Sequence, residues 1–179
     1  MKLRIISGNY GGRTIDAPRG HRTHPMGEQI RGALFNVLGD VAGLSVLDAF
    51  TGSGAIAIEA ASRGAEPIVA VDSDKQAYKT AMANVQNLGL SNLVKVTEAN
   101  ISSWLERNQN LAFDIVICDP PYDQVKPGLL NKLAAVAKVG GIMVLSLPPD
   151  AGVTLDPAYE ILQSKSYGDA TLAFYRKTG

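Results

Sequence analysis

Short apolar runs alternate with helical patterns along most of the chain. After residue 44, strand-like runs are predicted at 45–49, 67–71, 93–97, Phe113–Cys118 and 141–147. Between these runs, apolar residues recur at the helical spacing of three and four, which predicts helices at 55–63, 75–88, Ile101–Arg107 and 128–138. Such alternation requires right-handed crossovers, so the strands form a parallel sheet with helices on both faces. The pattern predicts an α/β fold.

The last part of the chain has a different pattern. Two more strand-like runs, 159–165 and 171–176, are separated only by residues 166–169. This separation is too short for a crossover helix, so the two runs must be antiparallel to each other. The prediction is a seven-stranded, mostly parallel sheet in which the last strand is antiparallel.

The first 40 residues form another kind of unit. Runs 3–7 and 13–17 are predicted strands, and the glycine-containing turn 8–12 between them predicts a β-hairpin. An amphipathic helix that ends near Gly39 follows, with apolar residues at Ile30, Ala33, Leu34, Val37 and Leu38. We expect this helix to dock the arm, residues 1–40, onto the core, residues 41–179, within a single domain.

Length and composition favour one domain. The chain has 179 residues, of which 46% are hydrophobic, enough to bury about two thirds of the unfolded surface in one core. The longest apolar runs fall far short of the roughly 20 residues that cross a bilayer, and no secretory signal is visible, so we expect a cytoplasmic protein with no membrane span. The single cysteine, Cys118, is predicted to be a buried strand residue, because one cysteine and two histidines form neither a disulfide nor a zinc site. We expect a monomer that needs no metal.

Charge is distributed unevenly, although the formal net charge is zero. Residues 1–31 carry six basic and two acidic side chains, a net +4, which leaves −4 on the remainder. A basic arm on a mildly acidic body is where a phosphate backbone would be held, and a merely solvated arm is the alternative. The candidate substrate-binding residues are Arg4, Arg13, Arg22, His24 and Arg31.

The loop after the first parallel strand is typical of a ligand-binding site. It reads VLDAFTGSG over residues 46–54, and ligands of open α/β sheets bind at the carboxyl ends of strands. Gly52 and Gly54 allow the backbone to approach a ligand closely. Asp48 would repel a pyrophosphate but suits a ligand that carries ammonium and sulfonium charges. The predicted cofactor is therefore cationic, and Phe50 is a further candidate contact in this loop.

Two more polar residues follow the next two strands. Asp72 ends the second strand, 18 residues after Gly54, where a carboxylate can accept hydrogen bonds from both hydroxyls of a ribose. Asn100, just beyond the third strand, offers an amide to an adenine edge. Both positions favour a nucleoside ligand. The alternatives are a turn residue or helix cap for the aspartates and a plain loop residue for Asn100.

The fourth strand leads into Asp119-Pro120-Pro121-Tyr122. Two prolines fix φ and remove two N–H donors, so the Asp119 carboxylate and the Pro120 carbonyl become a rigid pair of acceptors. Such a pair matches the two hydrogens of a base's exocyclic amine, and holding both favours a pyramidal nitrogen with a free lone pair. Tyr122 offers a flat face on which the base can stack. These four residues are the catalytic candidates, and a Pro-Pro strand end with Tyr122 covering the core is the alternative.

Taken in order, these motifs resemble the RsmD-like family of bacterial methyltransferases, which modify the guanine exocyclic amine in small-subunit ribosomal RNA. The resemblance covers nearly the whole chain: RIISG at 4–8 with Gly12-Arg13, IRGALFN at 30–36, the loop at 46–54, EAASRGA at 59–65, DPPYD at 119–123, YGD at 167–169 and FYR at 174–176. It implies a Rossmann-like class I methyltransferase fold, S-adenosylmethionine as the cofactor, and ribosomal RNA or the small ribosomal subunit particle as the partner. It also implies that Asp48, Gly52, Gly54, Asp72 and Asn100 contact the cofactor and that residues 119–122 hold the base.

The chain departs from the family pattern mainly on the substrate side. Residues 23–26 read THPM, whereas members of the family usually look like an Arg-Pro-Thr run at this point. Gly32 stands where an acidic residue is usual. Asn100 replaces a common aspartate. His24 is either a replacement for an arginine contact or a solvated loop residue.

Three other functions compete with this interpretation. An adenine- or cytosine-amino methyltransferase acting on DNA shares the same tetrapeptide, but the chain leaves little room for a DNA-recognition domain. A nicotinamide-dependent oxidoreductase is disfavoured by Asp48 and by the late position of the glycines. A non-catalytic RNA-binding assembly factor would keep the fold, and only turnover separates it from an enzyme.

Overall fold

The computed structural model describes residues 1–19, 26–124, 126–149, 155, 158–168 and 170–179. Its strands are β1 (Lys2–Arg4), β2 (Thr14–Asp16), β3 (Val46–Asp48), β4 (Ile68–Asp72), β5 (Val94–Glu98), β6 (Phe113–Cys118), β7 (Ala137–Leu147), β8 (Tyr159–Tyr167) and β9 (Ala170–Lys177). Its helices are α1 (Glu28–Leu38), α2 (Ala55–Ser62), α3 (Lys75–Asn87), α4 (Ile101–Arg107) and α5 (Pro127–Ala135), with a short 3-10 turn at Tyr122–Gln124. None of the described helices is long and apolar enough to cross a membrane.

A seven-stranded sheet forms the centre of the molecule, in the order β5-β4-β3-β6-β7-β9-β8. Strands β3 to β7 pair in parallel, and β9 runs antiparallel to both of its neighbours, β7 and β8. The predicted sheet is therefore confirmed. The chain moves outward from β3 to β5 and then returns to the other side of β3 with β6. Ligands of such sheets bind where the strand order reverses, at the carboxyl ends of β3 and β6.

Alternate residues of the central strands pack against helices on opposite faces of the sheet. Ile115 and Ile117 face the cluster that contains α2 and α3 residues, whereas Val116 and Cys118 face the cluster that contains α4 and α5 residues. This two-sided burial explains why β6 is continuously apolar from Ile115 to Cys118 rather than alternating. Cys118 has no exposed surface, as predicted.

The N-terminal hairpin, β1 and β2, is attached to the core through polar groups of α2. Glu59 is fully buried, and its carboxylate accepts the N–H groups of Ile6 at 2.8 Å and Ser7 at 3.1 Å. Ser62 donates its hydroxyl to the Ser7 carbonyl at 2.6 Å and accepts the N–H of Tyr10 at 2.9 Å. Hydrogen bonds to a buried carboxylate are stronger than those between neutral groups, so this end of the hairpin is held firmly against the body.

Arg31 lies inside the arm, not on its surface. Its side chain is 1% exposed, and its guanidinium donates to the carbonyls of Met26, at 3.1 Å, and Arg4. Its Nε lies 3.7 Å from the carboxylate of Glu59. The prediction that Arg31 contacts the substrate is wrong, because a buried guanidinium that is already paired cannot reach a phosphate.

The buried face of α1 differs from the predicted stripe by about one residue. Arg31, Leu34 and Phe35 are buried, whereas Val37 is 37% exposed. A hydropathy pattern favours a stripe without charged members. The core accepts Arg31 because Glu59 supplies a buried partner for its charge.

The boundary between α5 and β7 also differs from the prediction. The helix ends at Ala135 and the strand begins at Ala137, so the predicted helix is wrong over 136–138 and the predicted strand begins four residues too late. The pairing of β6 with β7 shifts register between Phe113 and Ile115, which marks a bulge at this point.

Candidate active site

Three carboxylates converge at the carboxyl-terminal edge of the sheet. Asp48 ends β3, Asp72 ends β4 and Asp119 immediately follows β6. Because β3 pairs in parallel with both β4 and β6, the three strand ends lie side by side. The charges of Asp119 and Asp72 both contribute to raising the pKa of Asp48, after its burial. The site is therefore a concentration of negative potential that suits a cationic ligand.

Asp48 is fully buried. One of its carboxylate oxygens, Oδ2, accepts the hydroxyl of Thr51 at 2.7 Å, and the N–H of Ala57 in the first turn of α2 also favours the ionised form. The other oxygen, Oδ1, has no hydrogen-bond partner among the described residues. Burial, supplemented by the neighbouring carboxylates, raises the pKa of Asp48 to about 7. An acceptor without a donor in such a place fits a ligand that brings an N–H group of its own.

The glycine loop, residues 52–54, connects β3 to α2 and is fastened to the end of β4. Gly52 has φ 56° and Gly54 has φ 85°, both in the left-handed region that favours glycine. The N–H of Gly52 donates to Asp72 Oδ2 at 2.9 Å. A side chain at Gly52 would meet no atom within 4 Å, so the space beside it is open. The backbone is thus exposed at the point where a ligand must approach.

Asp72 holds two backbone N–H groups at once. Its Oδ2 accepts Gly52 and its Oδ1 accepts Asp74 at 2.9 Å. Burial raises the pKa of Asp72, whereas these hydrogen bonds oppose the increase. Each carboxylate oxygen retains a second lone pair, so the predicted contact with ribose hydroxyls is compatible with this arrangement.

Asn100 follows β5, two strands away from β3 in the sheet, and Phe50 lies between β3 and the glycine loop. Asn100 is exposed and caps α4, because its Oδ1 accepts the N–H of Ser103 at 3.1 Å. Its Nδ2 therefore remains the part of the side chain best suited to an adenine edge. Phe50 is partly buried and packs on the cluster that contains α4 and α5 residues. The alternative for Asn100 was a plain loop residue, whereas in the structure it caps a helix, and a cap can also serve a ligand.

Asp119, which is partly buried, and Pro120, which is buried, follow β6. The register that pairs Cys118 with Leu145 sets Asp119 beside Ser146, the next residue of β7, and Ser146 hydrogen-bonds to the Asp119 carboxylate. Burial raises the pKa of Asp119 to about 6, although the bond from Ser146 opposes this increase. Asp119 is therefore ionised at neutral pH but close enough to its pKa to exchange a proton.

The rest of the tetrapeptide turns away from the strand. Pro120 is buried and Pro121 is partly buried. The Pro121 carbonyl accepts the N–H of Gln124 at 2.9 Å and so closes the 3-10 turn that Tyr122 begins. The position of the Tyr122 side chain lies outside the described part of the structure, and its stacking role stays a prediction.

The predicted substrate-binding residues have different environments. Arg4 is exposed and paired with Glu28, and Arg13 is exposed with its guanidinium 5.5 Å from the ring centre of Tyr10. Arg31 is buried, as described above. Arg22 and His24 lie outside the described residues. The cationic surface of the arm is thus smaller than its sequence charge implies.

Several residues of the site were not identified from the sequence. Thr51 hydrogen-bonds to Asp48, and Ser146 hydrogen-bonds to Asp119. Asn84 of α3 donates to the Ser53 carbonyl of the glycine loop at 2.9 Å. Ser146 carried one usable signal, since it is a hydroxyl near the end of an otherwise apolar strand. Thr51 and Asn84 resemble ordinary loop and helix residues in the sequence.

A family model described as Conserved hypothetical protein 95, the RsmD family, matches residues 3–176. The chain belongs to this family. Among RsmD-family relatives, Ribosomal RNA small subunit methyltransferase D of Buchnera aphidicola is 36% identical over 132 residues, which are 73% of this chain and 67% of that protein. The protein of the same name from Escherichia coli is 32% identical over 132 residues, covering 73% and 64%. The protein YlbH of Bacillus subtilis is 29% identical over 189 residues, covering 99% and 100%.

Solved structures related to the RsmD-family chain share its fold. The yhhF protein from Escherichia coli superposes with a TM-score of 0.89 at 24% identity and covers 99% of both chains. The hypothetical protein TTHA0928 from Thermus thermophilus has a TM-score of 0.80 at 28% identity, covering 96% and 98%. The SMU.776 protein, solved in complex with SAH, has a TM-score of 0.66 at 18% identity, covering 83% and 48%. The fold is a Rossmann-like class I methyltransferase fold, as predicted.

Proposed function

We propose that this protein is an S-adenosylmethionine-dependent methyltransferase that modifies the exocyclic amine of a guanine in small-subunit ribosomal RNA. The observation that carries the proposal is the position of Asp119 and Pro120, at the end of β6, beside the carboxylates of Asp48 and Asp72. An amine-binding pair of acceptors thus adjoins a site for a cationic nucleoside.

The cofactor side of the site fits S-adenosylmethionine. Asp48 has a buried acceptor without a donor, which suits an ammonium group. The negative potential of three carboxylates suits a cofactor with an additional sulfonium charge. Asp72 and Asn100 would hold the adenosine part, through ribose hydroxyls and the adenine edge.

The substrate side of the site fits an amine attached to an aromatic ring. The Asp119 carboxylate and the Pro120 carbonyl would each accept one N–H of the amine, which directs its lone pair towards the methyl group. When bound, S-adenosylmethionine supplies a methyl group whose bond to sulfur breaks as the new bond to nitrogen forms, leaving a neutral thioether. The amine nitrogen then carries a positive charge, and Asp119 can accept the proton that it loses. These roles require no metal.

The choice of RNA rests on the relatives and on the arm. Two relatives are named Ribosomal RNA small subunit methyltransferase D. Exposed Arg4 and Arg13 lie on the hairpin, where phosphates can compete for their guanidinium groups. The expectation of a cytoplasmic monomer belongs to the same proposal.

Methyl transfer with a labelled cofactor tests the proposal directly. Purified protein is incubated with radiolabelled S-adenosylmethionine and with small ribosomal subunits from cells that lack this enzyme, the RNA extracted from those subunits, or DNA. The modified nucleoside is then identified by mass. We expect methylguanosine from RNA. Methyladenine or methylcytosine in DNA would assign the chain to the rival enzyme class, and cofactor binding without transfer would favour an assembly factor.

A further inference from the structure

One buried side chain links the N-terminal hairpin to the glycine loop. Asn84, in α3, is 3% exposed. Its Oδ1 accepts the N–H of Asp16 at 3.0 Å, and its Nδ2 donates to the carbonyl of the same residue at 2.8 Å. Nδ2 also donates to the carbonyl of Ser53 at 2.9 Å. A single amide therefore holds the end of β2 and the centre of the loop at the same time.

Only an amide of this length satisfies all three contacts. Both groups of Asn84 are used, one as an acceptor and the other as a double donor, and every partner is a main-chain atom. The contacts therefore depend on where the two backbones lie, whatever side chains they carry. A carboxylate would lose both donated bonds, and an apolar residue would lose all three.

The loop end of this link is directly attached to the cofactor site. Ser53 lies between Gly52, whose N–H binds Asp72, and Gly54, which caps α2. A Cβ placed on Gly54 would lie 3.4 Å from the Cβ of Ala81, one turn before Asn84 in the same helix. Helix α3 thus lies close to the loop at Ala81, where only a glycine leaves this space free, and holds it through the hydrogen bond from Asn84. The Ser53 carbonyl follows Gly52 by one residue, so we expect a displacement of this carbonyl to shift the Gly52 N–H that binds Asp72.

The hairpin end of the link lies in a groove that contains two cationic side chains, Lys2 and Arg13, of which Lys2 forms an ion pair with Asp16. Asp16 pairs with Lys2 across the hairpin. The groove, between the hairpin and α3, is lined by both residues together with Arg13, Asn84 and Asn87. RNA held by the cations of this groove would fix β2 against α3, and Asn84 would pass that restraint to the glycine loop.

We propose that Asn84 is a positioning residue that couples the seating of RNA on the hairpin to the affinity of the glycine loop for the cofactor. The inference rests on the proposed function, since it needs both ligands. Coupling between two sites is reciprocal. RNA therefore strengthens cofactor binding by the same factor by which the cofactor strengthens RNA binding.

The test compares cofactor affinity with and without the substrate. Calorimetry measures the Kd of S-adenosylhomocysteine for the whole protein alone and for the protein saturated with small ribosomal subunits from cells that lack the enzyme. We expect the subunits to tighten binding about five-fold or more in the wild type, as in typical coupled systems. In Asn84→Ala we expect the ratio of the two Kd values to fall to about one.

Two control variants separate coupling from simple loosening of the arm. Ser62→Ala removes two hydrogen bonds that hold the hairpin, but Ser62 does not contact the loop. Asn87→Ala changes the same residue type at the exposed rim of the groove. Both are expected to keep the wild-type ratio. If Asn84→Ala fails to fold, Asn84→Asp serves instead, because it has the same shape, keeps the bond from the Asp16 N–H and loses both donated bonds, to the Asp16 and Ser53 carbonyls.

The outcomes are separable from those of the proposed function. A wild-type ratio near one, an unchanged ratio in Asn84→Ala, or an equal loss in Ser62→Ala would each overturn the coupling. All three leave the proposed function intact if methylguanosine still forms. If the wild type transfers no methyl group to any substrate, the proposed function itself fails.

Discussion

The backbone N–H of Gly52 donates to the Asp72 carboxylate at 2.9 Å, and this bond ties the loop after β3 to the end of β4. Asp72 is also the predicted ribose ligand, so we expect one side chain both to shape the loop and to bind the cofactor. Hydrogen bonds to charged groups contribute about 1.5–3 kcal/mol. We therefore expect Asp72→Ala to weaken the binding of S-adenosylhomocysteine about 10- to 100-fold, measured by calorimetry.

A neighbouring aspartate provides the control for this change. Asp74 is exposed and caps α3 by accepting the N–H of Ala77 at 2.9 Å. Asp74→Ala should cost about 1 kcal/mol of stability, as the loss of a helix cap does, and leave cofactor affinity unchanged. Equal affinities for the two variants would show that Asp72 does not bind the cofactor.

Asp119→Ala should reduce kcat by about 100-fold or more, since it removes one of the two acceptors for the amine and the group that accepts the proton. The affinity for S-adenosylhomocysteine, which lacks the sulfonium charge, should remain nearly unchanged, because Asp119 is proposed to contact the substrate amine. Single-turnover methyl transfer and calorimetry measure the two quantities separately. Asp119→Asn keeps one carbonyl acceptor, so its kcat should lie between that of the wild type and that of Asp119→Ala. A fully active alanine variant would disprove the proposed mechanism.

The pH dependence of kcat/KM should have an acidic limb near the pKa of Asp119 in the free protein, which burial raises to about 6. Below this pH the carboxyl group is protonated and no longer serves as an acceptor for the proton of the amine. The hydrogen bond from Ser146 favours the ionised form. Ser146→Ala should therefore raise the pKa and move the limb to higher pH, and Ser146→Thr should not. If the acidic limb of the pH profile lies at the same pH in Ser146→Ala as in the wild type, the titration of another group determines it.

Asp48 should make the cofactor-free protein less stable as pH increases. Its folded-state pKa is raised to about 7 from an ordinary value of 3.8, so the folded state keeps a proton that the unfolded state loses. This contribution to stability is complete below pH 3.8 and is lost as pH rises towards about 7. Asp48→Asn removes the buried charge, so we expect its Tm to exceed that of the wild type by roughly 3 °C or more at about pH 8.

The same comparison at low pH provides the internal control. At about pH 4 the wild-type carboxyl group is protonated in the folded state, so the difference in Tm should largely disappear. Asp40→Asn, a change at an exposed carboxylate, should show no such dependence. A difference in Tm that is constant with pH would indicate a packing effect.

Two arginines of the arm should respond in opposite ways to substitution. Arg13→Ala should weaken RNA binding and lower the slope of log K against log salt by about one, with little change in Tm, because Arg13 is exposed. Arg31→Met should lower the free energy of unfolding by about 3–5 kcal/mol, because it leaves the buried Glu59 without one of its cationic partners. Titration of RNA at several salt concentrations and thermal melts distinguish them. A stable Arg31→Met protein with weakened RNA binding would show instead that Arg31 contacts the RNA.

The order and type of the main elements were predictable because they depend on periodicity. Strand β6 and helix α4 begin and end where the pattern predicts. The reversal at the end of the chain followed from the short connection before β9. Periodicity is a property of neighbouring residues in the sequence. It therefore predicts elements that depend on their own pattern of apolar residues and not on contact with a distant strand.

The start of β7 was not predictable in the same way, because it depends on contact with another strand. Gly140 has φ 83°, and a Cβ on Gly141 would lie 2.9 Å from the Asp114 carbonyl. In the sequence, two adjacent glycines indicate the end of an element. In the structure they form a bulge through which the strand continues, and only the neighbouring β6 shows this.

The site was predictable where a chemical type had to stand at a strand end, as at Asp48, Asp72 and Asp119. The site was not predictable from the sequence at positions where a side chain bonds to an element that is distant in the sequence. Arg31 looked like a surface cation because its partner, Glu59, is 28 residues away in the sequence. Asn84 shows the same limit, since its partner residues lie 68 and 31 positions away.

The order of the sheet also constrains how the chain can fold as it emerges from the ribosome. Strand β9 lies between β7 and β8, although β8 precedes it in the sequence. In the described sheet β8 therefore has no neighbour to join until β9 has been synthesised. The five parallel strands, with Asp48, Asp72 and Asp119 at their ends, are complete before that moment. The nascent protein can thus assemble the half that carries the candidate active site while β8 is still unpaired.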